Sequence, residues 1–258
     1  MLRAVAKYSP FFYLVPIAGA ELITTFYDPF WGLVCHALIM FCLYGHAIVL
    51  YPTAKRSSFL LMSIALAPLI RILSLYAPLA SFSYLQWFII LSLPLFTATV
   101  IIIVFQQLKA RDVGLVLKTR QIPVQFAICC TGIPFGYIEY LILKPEPLIP
   151  ELSFQALIAP VIILLLCTGL MEELVFRGII QHNAVTYFKP GIGISFVALL
   201  FGIMHIGNMS ILDVVFVFLI GYFYSYAVLA TNSIAGVTIS HGVTNIVLFL
   251  LLPLLWTV

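Results

Sequence analysis

Apolar residues run along this chain in long blocks, broken by a few charged or turn-forming residues. The blocks are Pro10–Tyr27, Pro29–Tyr51, Phe59–Leu79, Phe82–Phe105, Ile122–Leu143, Phe154–Phe188, Ile192–Ile206, Ile211–Ala230 and Ser233–Trp256. About 20 such residues suffice to cross a bilayer as a helix. The pattern therefore predicts an all-α fold, a polytopic transmembrane helical bundle of eight or nine spans. Phe154–Phe188 exceeds one perpendicular span, so it reads as a tilted helix or a span with an extension, with Pro160 able to kink its start. Pro145, Pro147 and Pro150 make Lys144–Glu151 a turn-rich loop, and Lys189-Pro190-Gly191, Gly207 and Thr231-Asn232-Ser233 mark later connections. The first block has a second reading. Phe11–Ile17 followed by Ala18-Gly19-Ala20 resembles a signal peptide with its cleavage site, so residues 1–20 are either removed or remain as the start of an attached first span.

Composition agrees: 64% of residues are hydrophobic and 8% charged, against about 25% charged in a soluble domain. The net charge of +3 is small, and no basic patch is interleaved with aromatics, so the expected partners include membrane lipid and no nucleic acid. The basic residues instead report topology. With the N-terminus cytoplasmic, the inner segments hold Arg3, Lys7, Lys55, Arg56, Lys109, Arg111, Lys118, Arg120 and Lys189, and the outer segments hold Lys144. That asymmetry satisfies the positive-inside rule. The membrane would be the cell membrane in a bacterium and the endoplasmic reticulum membrane in a eukaryote. The cysteines, Cys35, Cys42, Cys129, Cys130 and Cys167, lie in apolar runs without a C-x-x-C, and read as small buried side chains rather than redox or thiolate-metal groups.

Candidate chemistry begins where charge enters a span, because intramembrane charge is expensive and marks function by default. The stretch Met171-Glu172-Glu173-Leu174-Val175-Phe176-Arg177-Gly178 places three charges within six positions. At about 100° per residue, Glu173 and Arg177 share a face and can pair, while Glu172 points elsewhere and stays free. Two further polar clusters follow: Phe201-Gly202-Ile203-Met204-His205 with Asn208 after it, and His241-Gly242-Val243-Thr244-Asn245, whose His241 and Asn245 share a face. A carboxylate beside imidazoles can take a proton from water, and imidazole and amide donors can stabilise an oxyanion. Two histidines and a glutamate can also hold zinc with an open position for water. The cofactor therefore stays unknown: zinc remains open and none is favoured, since H-x-x-x-N supplies an amide where a ligand is expected and no H-E-x-x-H occurs. The plainer readings are Glu173–Arg177 as structural glue, the histidines as satisfied hydrogen-bonding groups, Glu21 and Arg71 as a structural ion pair, His36 and His46 as structural, and Asp213 as an interfacial residue opening the eighth span. All multi-residue clusters follow residue 154. The expected organisation is thus 1–153, N-terminal transmembrane helices of unassigned role, and 154–258, a catalytic core in the last four helices.

Taken in order, E-E-x-x-x-R (Glu172 to Arg177), F-x-x-x-H (Phe201 to His205) and H-x-x-x-N (His241 to Asn245), each on an apolar segment, resemble the CPBP intramembrane proteases. That family includes the type II CAAX prenyl endopeptidases and bacterial members linked to bacteriocin processing or immunity. Ser233-Ile234 also looks like the family's approach to its third motif, and the resemblance covers about residues 155–250. It implies hydrolysis of a peptide bond in a membrane-embedded cavity, on a peptide or protein substrate that is membrane-bound or lipid-modified. By similarity, Glu172 would activate water with His205, His241 and Asn245 would stabilise the oxyanion, and Glu173 with Arg177 would brace the site; no metal site is implied either way. Two other readings stand beside it. One is a non-catalytic immunity or assembly factor that keeps these residues for stability. The other is an ion-coupled transporter using them as a relay, although transporters often show paired halves and residues 1–150 contain no equivalent cluster.

Overall fold

The computed structural model describes residues 9–76 and 83–256. Arg3 and Lys7, the charged start of the alternative signal peptide, and Leu79 and Phe82, which bound two expected spans, lie outside the described residues. Among the described residues, nine helices are long and apolar enough to cross a membrane: α1 (Ser9–Phe26), α2 (Pro29–Leu50), α3 (Lys55–Leu75), α4 (Tyr84–Phe105), α5 (Thr119–Leu143), α6 (Phe154–Tyr187), α7 (Pro190–Asn208), α8 (Ile211–Thr231) and α9 (Ala235–Trp256). No strand occurs among the described residues. The chain is an all-α multi-pass membrane protein, as the apolar blocks require.

Local sequence sets several ends. Asp28 caps α2, its carboxylate accepting from the backbone N–H of Phe30 at 2.8 Å and of Trp31 at 3.2 Å, and Pro29 supplies a preset first helical residue. Ser83 and Gln86 form a reciprocal capping box at the start of α4. The longest block is one continuous helix, α6, but not a uniform one. An α-helical turn at Met171–Glu173 is flanked by π-helical segments at Leu164–Leu170 and Leu174–Ile180. Such widened turns are rare and gather at functional sites. A third lies in α9 at Val247–Leu251.

In a membrane, helices associate through close packing and interhelical hydrogen bonds rather than through water exclusion. α9 is held this way between α5 and α6. Gly132 and Gly136 of α5, spaced small-x-x-x-small, lie against the carbonyls of Ser240 and Thr244, and Gly169 of α6 lies against Gly242. A side-chain carbon at any of these three glycines would run into α9 backbone. Both ends of α9 are pinned as well: the Ile234 N–H donates to the Gly114 carbonyl at 3.0 Å, and the Leu148 N–H to the Phe249 carbonyl at 3.1 Å. Elsewhere Asn183 Nδ2 of α6 donates to Ser63 Oγ of α3 (2.7 Å) and Gln106 Oε1 just past α4 (2.8 Å). Glu21 of α1 and Arg71 of α3 form the expected ion pair, Nε to Oε1 at 2.9 Å and Nη2 to Oε2 at 2.7 Å. Arg71 Nη2 also donates to the Met204 carbonyl at 2.8 Å, which ties in α7. His36, without an acidic neighbour in sequence, has Nε2 3.5 Å from Glu21 Oε1.

Candidate active site

The α-helical turn in α6 presents the two adjacent acids to different surroundings. Glu173 is fully buried and Arg177 is 2% exposed. Their contact, Nη1 to Oε1 at 2.9 Å, is the i,i+4 pair that helix geometry predicts. The guanidinium also lies over the Phe201 ring, 4.2 Å from its centre, and reaches the Gly221 carbonyl of α8 at 3.4 Å. Stacking on a ring face suits a planar, weakly hydrated cation. The same Glu173 Oε1 accepts from His241 Nδ1 at 2.8 Å. Glu173 therefore joins α6 to α9 and fixes the His241 ring, with Nε2 as the second ring nitrogen. Glu172 is the more accessible acid, its side chain 25% exposed, with Oε2 4.0 Å from His241 Nε2.

His205 sits where α7 tightens from α-helix into a 3₁₀ turn at Ile206–Asn208. Carbonyls near a helix end lack backbone partners. The Phe201 carbonyl meets His205 Nδ1 at 2.9 Å, and since a carbonyl only accepts, Nδ1 carries the hydrogen. The F-x-x-x-H spacing thus has a physical basis, the side chain folding back one turn to cap its own helix, with ring centres 4.8 Å apart. Nε2 of the neutral ring is then an acceptor. On α9, Asn245 Nδ2 donates to Thr168 Oγ1 of α6 at 2.9 Å, which uses one of the amide's two N–H groups.

Glu172, His205, His241 and Asn245 all line one cavity of about 450 Å³. Its other wall comes from earlier in the chain: Arg71 on α3, Trp87, Phe88 and Leu95 on α4, and Glu139 on α5. Spans before residue 154 thus do more than surround the later ones.

Two of these residues were not legible as site residues. Glu139 is a lone acid in an apolar run, without a motif around it. It is 8% exposed, and it lines both the main cavity and an adjoining recess of about 30 Å³ shared with His205, His241 and Asn245. The one clue in sequence was a carboxylate inside a span. Arg71 forms the expected pair with Glu21 and also faces the cavity, which its sequence surroundings do not show. Asp213, in the first turn of α8, is fully buried and accepts from Asn208 Nδ2 at 2.9 Å. The turn between α7 and α8 folds over it, which its place in the first turn of a span did not reveal.

Residues 154–247 match the family model described as Type II CAAX prenyl endopeptidase Rce1-like, in agreement with the resemblance read from the three motifs. The segment includes every motif residue, whereas Arg71 and Glu139 lie outside it. No curated protein and no solved structure matches the chain.

Proposed function

We propose that this chain, whose residues 154–247 carry an Rce1-like domain, is an intramembrane endopeptidase that cleaves a peptide bond with water activated by Glu172. The observation that carries the reading is the convergence of Glu172, His205, His241 and Asn245 on one cavity inside a bundle of membrane-crossing helices. Residues 154–258 supply the motif side chains, and residues 1–153 supply the opposite wall.

Zinc does not fit the side chains as they stand. Among the described residues no group of three or more His, Cys, Asp or Glu side chains is placed to hold a metal ion. His241 Nδ1 is engaged by Glu173, whose oxygen is shared with Arg177. No step is therefore routed through a metal. The Glu172 carboxylate takes a proton from water as the water oxygen bonds to the substrate carbonyl carbon, with His205 Nε2 orienting that water. The remaining N–H of Asn245 and, in the imidazolium form, Nε2–H of His241 receive the oxyanion. Glu173 and Arg177 hold His241 in place. The C–N bond then breaks and the leaving amine takes a proton from Glu139, the other cavity carboxyl group without a hydrogen-bond partner among the described residues. The proton held by Glu172 returns to Glu139 across the main cavity, which both carboxyl groups line. One hydroxyl ends on the acyl carbon and one hydrogen on the amine.

The direct test uses purified protein in lipid vesicles, a farnesylated peptide ending in Cys-aliphatic-aliphatic-X, an unmodified hydrophobic peptide, and mass spectrometry of the products. Wild type should cleave at least one of them. Glu172→Gln should abolish cleavage while melting at the wild-type temperature. Full activity in Glu172→Gln, or no cleavage of either peptide by wild type, sinks the proposal.

A further inference from the structure

The cavity occupies one end of the bundle. Much of its lining comes from Ile70 to Ser74 late in α3, from Trp87 to Leu95 early in α4, from Glu139 to Pro145 at the end of α5, and from Met204 to Asn208 at the end of α7. Successive helices alternate in direction, so these segments all lie at the end that carries the Lys144–Glu151 loop and the α7–α8 turn. The α6 lining residues, Cys167 to Phe176, and the α9 lining residues, His241 to Phe249, lie within their spans, and His241, six positions past the start of α9, reaches furthest toward the other end. No lining residue comes from that other end, where the α4–α5 link, Lys189 and the α8–α9 turn sit. The two pins on α9 identify the ends independently: Gly114 with Ile234 at the closed end, Leu148 with Phe249 at the open one. Gly207 and Asn208, at the rim, are exposed.

Charge divides along the same axis. At the closed end stand Lys55, Arg56, Lys109, Arg111, Lys118, Arg120 and Lys189, all exposed. At the open end, among the described residues, Lys144 stands with Asp28, Glu146 and Glu151, and Arg71 is paired with Glu21. Lysine and arginine in short loops are retained on the cytoplasmic side.

From these two facts together we infer that the cavity opens to the non-cytoplasmic side of the membrane, and that its substrate is an apolar peptide segment presented from that side. Trp87, Phe88, Leu91 and Leu95 give such a segment an apolar wall within the cavity. A tail anchored in the cytoplasmic leaflet meets only the closed, basic end. The substrate part of this inference rests on the endopeptidase reading; the direction of opening does not.

The experiment has two arms. In the first, the five native cysteines are replaced by serine or alanine, and single cysteines are placed by Asn208→Cys, Glu146→Cys and Lys118→Cys. A membrane-impermeant maleimide is added to sealed right-side-out vesicles. Labelling at positions 208 and 146 without labelling at 118, and the reverse in inverted vesicles, is expected. Labelling of 118 from outside with 208 protected overturns the inference, and so does equal labelling of all three. Positions 208 and 146 report the same end, so loss of one variant leaves the test intact. In the second arm an impermeant, quenched hydrophobic peptide is supplied to wild-type vesicles of each orientation. Cleavage in right-side-out vesicles at least tenfold above inverted ones supports entry from the non-cytoplasmic side; a ratio near one or below overturns it. Expected labelling with no cleavage in either orientation leaves the direction of opening standing and overturns the endopeptidase reading with its substrate assignment.

Discussion

The proposed mechanism gives Asn245 and Glu139 different parts, and the difference is measurable. The Asn245 amide is held by Thr168 and has one N–H left for the oxyanion. Asn245→Ala should slow cleavage by about 10²–10³-fold, the usual cost of one lost oxyanion donor. Thr168→Val should slow it less, since it removes only the contact that aims the amide. Equal rates in wild type and Asn245→Ala exclude the amide from the mechanism. Glu139 should show itself through the leaving group. Glu139→Gln should slow cleavage of the peptide by about 10²–10⁴-fold and barely affect a matched substrate in which sulfur replaces the scissile N–H. A thiolate departs without a proton, so equal slowing of both substrates would mark Glu139 as structural. Sequence exposed Glu172, Glu173, His205, His241 and Asn245 because each is polar within an apolar run, with Glu173, His205, His241 and Asn245 spaced one helical turn from a motif partner and Glu172 adjacent to Glu173. It could not expose Glu139, whose neighbours around the cavity lie on other helices, or the burial of Asp213, which depends on how a short turn folds.

Among the elements, α9 is the most constrained, because glycine contacts on two sides set its distance from α5 and α6. Gly132→Val drives a branched side chain against the Ser240 carbonyl, whose Oγ is within 2.8 Å of both Thr131 Oγ1 and the Tyr224 hydroxyl. Overpacking of this kind costs about 1–3 kcal/mol. Thermal melting in detergent should fall, and cleavage should fall further than stability alone explains, because His241 and Asn245 move with α9. An unchanged melting temperature would mean that α5 gives way without loss. The nine helices follow from apolar length alone. The widened turns in α6 do not, since a uniformly apolar block carries no mark of where an i→i+4 ladder loosens. Those turns surround the one α-helical turn that bears the acids. The i,i+4 pairing of Glu173 with Arg177 was legible because it survives them.

At the scale of the whole molecule, the site is assembled from both halves of the chain, with motif residues from α6, α7 and α9 facing Arg71, Trp87 and Glu139 from α3, α4 and α5. Metal content is a property of that assembly. Purified, active protein should contain zinc well below one atom per chain by elemental analysis, and chelation should leave cleavage intact. Stoichiometric zinc, with activity lost on removal and restored on return, would replace the water-activation step proposed above. The Glu21–Arg71 pair has a consequence of another kind, for the order in which the protein is made. α1 carries its carboxylate into the bilayer long before α3 emerges with the guanidinium, and the Met204 carbonyl that Arg71 also reaches follows only with α7. A charge at the centre of a lone helix costs roughly 2.5–3.5 kcal/mol on insertion scales. α1 alone is therefore expected to insert less readily than α1 with its counter-ion present, at a cost of up to that amount since Glu21 lies five residues from the end of α1. In a glycosylation-mapped insertion assay, α1 alone should insert more completely as Glu21→Gln than as the native sequence, and the two should insert equally once α1 to α3 are translated as one piece.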